Sequence, residues 1–202
     1  MQEEYLEKIS ELFLTYGLRS SSMDEIATHL KISKKTLYEI FENKDDLVNQ
    51  VMLYRQNKEE KEFYARISGK DPIKIIMIIQ SLVLDSINSS ATFNIYDLKK
   101  YHPNVYEILI RHHTEKWQDF ITEILSEGIK SGLFRKDIDL DLETYLFGYL
   151  MMHLKQPEIA KNLGFPLKTI IHSLCNNFIR AMATPKGIEI FESYNKTPES
   201  NI

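Results

Sequence analysis

Ser22-Met23-Asp24-Glu25-Ile26-Ala27-Thr28-His29-Leu30-Lys31-Ile32-Ser33-Lys34-Lys35-Thr36-Leu37-Tyr38-Glu39-Ile40-Phe41 holds two helix starts and one tight turn. Ser22 and Glu25 have the S-x-x-E spacing of a capping box, in which each side chain reaches the other's backbone N–H. Ile26, Ala27 and Leu30 then repeat on one helical face. Lys31-Ile32 leaves room only for a turn before Ser33, which caps a second segment with Leu37, Tyr38, Ile40 and Phe41 at its apolar positions. Two helices joined this closely form a helix-turn-helix, the first bracing the second. Ile26, Ala27, Ile32, Leu37 and Phe41 are the bracing positions, and Ala27 is small where the helices cross. The second helix keeps Lys34, Lys35, Thr36 and Glu39 on its outer face, with Tyr38 beside them. Ammonium, hydroxyl and phenol groups suit phosphate oxygens and base edges. The helix starts at Ser22 and Ser33 can also present backbone N–H groups to a phosphate. Glu39 reads as a solvated helical charge.

Working outward, Leu6, Ile9, Leu12, Phe13 and Tyr16 mark an upstream helix that stops at Gly17. Downstream, Asn43 caps a helix running from Lys44 through Leu47, Val48, Val51, Met52 and Tyr54. Beyond Tyr54 it becomes charged, so residues 44–66 form a connector. Ser68-Gly69-Lys70-Asp71-Pro72 punctuates the chain and separates residues 1–66 from 67–202. Further helices are expected over about 72–87, 94–100, 103–130, 140–155 and 167–182, and the Pro/Gly-punctuated tail over 184–202 is expected to be flexible. No alternating apolar/polar run of strand length occurs. The predicted class is therefore all-α: an N-terminal three-helix head and a larger C-terminal helical bundle.

From Ile9, Leu12-Phe13 and Gly17, through Ser21-Ser22-Met23-Asp24-Glu25-Ile26-Ala27 and Ile32-Ser33-Lys34-Lys35-Thr36-Leu37-Tyr38, to Phe41 and Lys44-Asp45-Asp46-Leu47, the chain closely resembles the TetR family of bacterial transcriptional regulators. Gly132-Leu133-Phe134-Arg135 with Asp137-Ile138-Asp139 also looks like the family's hinge before its dimerisation helices. The resemblance implies a homodimer that binds double-stranded operator DNA, most often as a repressor. Its C-terminal domain would bind a small-molecule effector and dimerise. Position by position it implies DNA contacts at Ser22, Met23, Ser33, Lys34, Lys35, Thr36, Tyr38 and Lys44. Many relatives have Gly where this chain has Lys35, so a reaching ammonium replaces a close backbone approach.

The charge balance is a counter-argument that the residue distribution answers. The 202 residues carry 25 basic and 29 acidic side chains, a formal charge of -4, which disfavours a general polyanion binder. Yet Lys31, Lys34 and Lys35 sit together on the turn and second helix, with Lys44 at the next helix start, while Glu3, Glu4, Glu7 and Glu11 lie on the first helix. The expectation is salt-sensitive, site-selective DNA binding with little general affinity. The opening residues lack a secretory pattern, and the most apolar stretch, residues 73–84, is too short to span a bilayer. With one Cys, Cys175, no internal disulfide can form, and a cytoplasmic protein without membrane contact is expected.

In the C-terminal part, Phe93, Tyr96, Trp117, Phe120, Tyr145, Tyr149 and Met152 are the candidate lining of an effector pocket, although aromatic stripes at helical spacing serve a core first. That effector would be largely apolar. Leu146, Leu150, Ile171, Leu174 and Phe178 are the candidate dimer face. No metal or cofactor is expected: His112 and His113 are adjacent and point about 100° apart on a helix. Nucleophile elbow, zincin and phosphate-loop patterns are missing, which argues against an enzyme. The competing readings are a helical protein-interaction module and an activator without a small-molecule ligand.

Overall fold

Capping signals and apolar periodicity generate the elements in the order in which the sequence presents them. A computed structural model describes residues 2–88, 95–153 and 164–196. Among these, every regular element is a helix: α1 (Gln2–Tyr16), α2 (Met23–Leu30), α3 (Lys34–Ile40), α4 (Lys44–Ile67), α5 (Pro72–Asn88), α6 (Ile95–Tyr101), α7 (Pro103–Lys130), α8 (Leu140–His153), α9 (Leu167–Met182) and α10 (Pro185–Lys196). The only extended pairing among them is a single antiparallel bridge between Phe134 and Ala183.

The chain divides into two compact units, the first made of Met1–Ala65 with Ser90–Thr114, the second of Arg66–Ser89 with Glu115–Ile202. In the first, Ile9, Phe13, Ile26, Leu37, Phe41, Leu47, Val48 and Val51 form one core, and Leu98 and Val105 join it from α6 and the start of α7. Each such side chain contributes roughly 1.5–3 kcal/mol on burial, enough to hold a seven-residue helix such as α3 that could not persist alone. At the α6–α7 junction His102, 6% exposed, places Nδ1 2.5 Å from Asp45 Oδ1 in the first turn of α4. The boundary after residue 66 thus marks a change in the chain, whereas the first unit also recruits a segment beyond it.

The second unit packs α5 against α9 and α10. Its core includes Ile73, Ile76 and Ile79 of α5, Ile121 and Leu125 of α7, Phe147 of α8, Ile171, Cys175 and Ile179 of α9, and Phe191 of α10. Asp71 caps α5, accepting from the backbone N–H groups of Ile73 (3.0 Å) and Lys74 (3.1 Å), while its second oxygen accepts from the Tyr194 hydroxyl of α10. Burial pushes the Cys175 thiol up to about 12, so this group remains a neutral core side chain.

The structure corrects the expectation of a flexible tail over residues 185–196, while residues 197–202 lie outside the described residues. Pro185–Lys196 is a helix, anchored by fully buried Phe191 and by the Arg180–Glu192 ion pair at 2.6 Å. Polar composition and the residues Pro185 and Gly187 suggested fraying, but both have structural uses. Pro185 opens the helix, where its missing N–H is not needed. Gly187 lets the helix lie directly on the chain after α7: a Cβ there would fall 2.2 Å from the Leu133 carbonyl oxygen. The same segment is tied down by Arg135 N–H donating to the Met182 carbonyl (2.8 Å) and Thr184 N–H donating to that of Leu133 (2.9 Å).

Candidate nucleic-acid interface

Two capped helix starts define the surface. At α2, Glu25 N–H donates to Ser22 Oγ (3.3 Å), while Ser22 N–H (2.6 Å) and its hydroxyl (2.8 Å) both donate to the Glu25 carboxylate. These two donors hold Glu25 below the usual carboxylate range. At α3, Ser33 Oγ accepts from Thr36 N–H at 3.0 Å and lies 2.8 Å from the Thr36 hydroxyl oxygen. Between them Lys31 adopts the left-handed conformation (φ 57°), and Ile32 N–H returns to the Ala27 carbonyl at 3.1 Å. A non-glycine residue at positive φ bears some strain, which the flanking caps and the buried Leu30 and Leu37 offset.

This bracing orients the outer face of α3. Leu37 is fully buried, whereas Lys34 and Lys35 are exposed and Tyr38 is 46% exposed. Lys34 Nζ lies 2.7 Å from Asp24 Oδ1 of α2, and that hydrogen bond raises the ammonium above its ordinary range. Lys35 stands 4.0 Å from Glu39. Both pairs are well solvated, so breaking or sharing them on meeting a phosphate costs little. Two of the acids that lower the net charge are thus paired with these exposed lysines. Ser22, Ser33 and Thr36 have their hydroxyls engaged at the two helix starts, leaving chiefly the helix-start N–H groups for an anion.

Two expected contact residues take other positions. Met23 is buried, so its side chain belongs to the head's core and only its backbone reaches the α2 start. Sequence spacing placed it at the cap without showing which way it turned. Lys44 donates to the Leu18 carbonyl (2.8 Å) and to that of Ser21, tying the start of α4 to the α1–α2 turn. Desolvation lowers its ammonium below the usual range. One N–H of the three remains for a phosphate. Arg19, which sequence reasoning did not select, is exposed in that same turn with its guanidinium over the Tyr101 ring at 5.6 Å. The available signal was a basic residue three positions before the capping box.

The C-terminal candidates are partly redistributed. Tyr145 and Tyr149 do not line an interior pocket; they stack on each other at 5.8 Å and are 54% and 48% exposed. Tyr96 is likewise outward, at 67%. Trp117 and Phe120 turn inward, their rings 5.9 Å apart, with Trp117 Cδ1 3.4 Å from where a Cβ on Gly148 would lie. Phe93 and the side chain of Met152 lie outside the described residues. Leu146 and Leu150 are exposed in the single chain, as a dimer face requires, and share one face of α8 with Leu142, Tyr145 and Tyr149. Ile171 is fully buried in its own chain, Phe178 stacks on Phe147 at 4.2 Å, and Leu174 is half-buried. Ile171 is thus taken up by its own chain's core, whereas Leu174 and Phe178 keep part of their surface exposed. The outward face of α9 is polar, with Lys168, His172, Ser173, Asn176, Asn177 and Arg180 along an open depression.

No helix among the described residues is long and apolar enough to cross a membrane. Residues 6–51 match the sequence profile of the bacterial regulatory proteins of the tetR family. A curated relative, the HTH-type transcriptional repressor KstR2 of Rhodococcus jostii (strain RHA1), is 22% identical over 143 residues, 69% of this chain and 70% of that one. Among solved structures, a TetR transcription regulator from Haloarcula marismortui superposes with a TM-score of 0.72 at 15% identity, over 90% of this chain and 97% of that one. A transcriptional regulator from Saccharomonospora viridis in complex with choline gives 0.68 at 18% identity, over 89% and 96%. A capped helix-turn-helix with an outward cationic face thus coincides with residues 6–51, the segment that matches the bacterial regulatory proteins of the tetR family, and the described residues share the all-helical fold of the solved regulators.

Proposed function

We propose that the protein is a homodimeric repressor that leaves its operator when a small effector binds. DNA reading falls to residues 1–66, effector binding and dimerisation to the bundle beyond. The observation that carries the reading is the α3 face, where Lys34, Lys35 and Tyr38 are exposed on a helix fixed from behind by fully buried Leu37. Two such helices, related by a twofold axis, fit successive major grooves roughly 34–36 Å apart on a near-palindromic site. The apolar outward stripe of α8, from Leu142 to Leu150, supports self-association, because an uncovered row of this kind is unfavourable in water.

The effector of this reading is small and largely apolar, met by Trp117 and Phe120. It would favour one of two head spacings through differential affinity. Trp117 is the single tryptophan, so ligand entry beside it would alter its fluorescence directly. Selection of bound sites from random duplex DNA with the purified protein tests the central claim. The expected result is enrichment of an inverted repeat, lost on replacing Lys34, Lys35 and Tyr38 together with Ala while the helical circular dichroism is retained. Absence of enrichment overturns the reading and favours a protein-interaction role for the head.

A further inference from the structure

We infer that the first unit carries a second DNA-backbone contact, a strip of cations and phenol rings running from the α1–α2 turn onto α6. Its order is Arg19, Tyr101, Lys100, Tyr96, with Lys99 and Tyr106 alongside. The Arg19 guanidinium lies 5.6 Å from the centre of the Tyr101 ring. Lys100 Nζ stands 5.3 Å from Tyr101 and 5.6 Å from Tyr96, and Lys99 Nζ stands 5.6 Å from Tyr106. This inference rests on the DNA-binding reading above and extends it to a surface outside the helix-turn-helix.

Local helix geometry explains why the strip faces outward. Leu98, His102 and Val105 turn into the head, 6%, 6% and 4% exposed. Leu98 and Val105 belong to the core that holds Ile9 and Phe13, while His102 is fixed on Asp45. With those positions inward, Tyr96, Lys99 and Lys100 must occupy the opposite side of α6, and all three are exposed. The first unit itself contains Ser90–Thr114, so α6 and the head form one body. A cation on α6 is thereby held in a set relation to the α2 start.

The chemistry selects a phosphate backbone. Three cations stand here, and of the nearby acids Asp45 is engaged by His102 and Asp97 is half-buried. Rings beneath the ammonium and guanidinium groups hold them in place without neutralising them. That arrangement reduces the ordering cost of contacting an anion. Duplex DNA offers no free base face to these rings, so their part is to hold the cations and to donate from hydroxyls to phosphate oxygens. Continuity supports the same partner: Arg19 precedes Ser22, the cap of the helix start that faces phosphate, by three residues. A strip that begins beside the α2 start would meet the backbone next to the phosphate at that start.

The test uses the full-length dimer with the site selected above, either as a minimal duplex or extended by about ten base pairs on each side. Lys99→Gln/Lys100→Gln preserves length and solubility, and unchanged thermal melting shows that it folds. For the parent, the extended duplex should bind more tightly, with a steeper fall in affinity as salt rises. For the variant, the slope of log K against log salt on the extended duplex should shrink by about 2 per head, since each released phosphate contact is worth about 0.9. Affinity there should drop at least about tenfold, while the minimal duplex is affected less. An unchanged slope in the variant on a duplex that the parent binds overturns the strip alone and leaves it as a surface for an acidic protein. Failure of the parent to bind any duplex overturns the DNA reading and the strip with it.

Discussion

Helices α3 and α8 are both short, and each turns one face out of its unit, but the two outward faces have opposite chemistry. Helix α3 buries Leu37 and directs Lys34, Lys35 and Glu39 into water, where charged groups are already well solvated. Helix α8 buries Phe147 and Met151 and directs Leu142, Tyr145, Leu146, Tyr149 and Leu150 outward. The first face is stable as it stands and gains when it exchanges small ions for a polyanion. The second is unfavourable until something apolar covers it. One unit therefore presents a face suited to a changing, salt-dependent partner, the other a face suited to a lasting one.

The α3 face depends most on the side chain behind it. Leu37→Ala should destabilise the first unit by about 2–5 kcal/mol, measured by urea denaturation, because the cavity lies at the crossing of α2 and α3. A cost below about 1 kcal/mol would mean that the face is not fixed from behind. On α8, Leu146→Glu/Leu150→Glu should raise the dimer dissociation constant at least about 100-fold in sedimentation equilibrium, because charges would be buried in an apolar contact. Unchanged association would move the dimer face elsewhere.

Gly187→Ala should cost about 1–3 kcal/mol, read as a lower melting temperature, since the Leu133 carbonyl is backbone and cannot turn aside. The smallest effect should come from pH. The Cys175 thiol is raised to about 12 from 9.0, so native protein holds its proton where unfolded chain has lost it. Stability attributable to this group should be constant below about pH 9 and decline from there toward about 12, and Cys175→Ser should flatten that decline. Rapid alkylation of native protein at neutral pH would contradict the burial of this thiol.

The head was legible because its signals are local. A cap speaks to a residue three positions away, and a helical face repeats every three or four. Ser22, Glu25, Ser33, Leu37 and Phe41 therefore indicated two helices and their crossing without any distant contact. Lys34, Lys35 and Tyr38 were readable as outward because their neighbours were so clearly inward. The same reasoning failed at Met23, which stands at a cap yet turns into the core. On α9 an apolar stripe was equally visible, but periodicity cannot say whether its partner is the same chain or a second copy. Ile171 is fully buried in its own chain and Phe178 stacks on Phe147 of α8, while Leu174 stays half-buried.

By itself, then, the sequence determined the helical class, the helix-turn-helix and the cationic side of α3, all through contacts a few residues apart. Only the tertiary structure decided that α6 belongs with the head, through Asp45 and His102, which are 57 residues apart. It also decided that residues 185–196 form a docked helix, and that α8 and α9 present opposite kinds of surface. Those outcomes depend on which apolar faces meet. An apolar stripe has a direction in sequence but acquires a partner only in three dimensions, because burial is nearly non-directional and is decided by shape and competition.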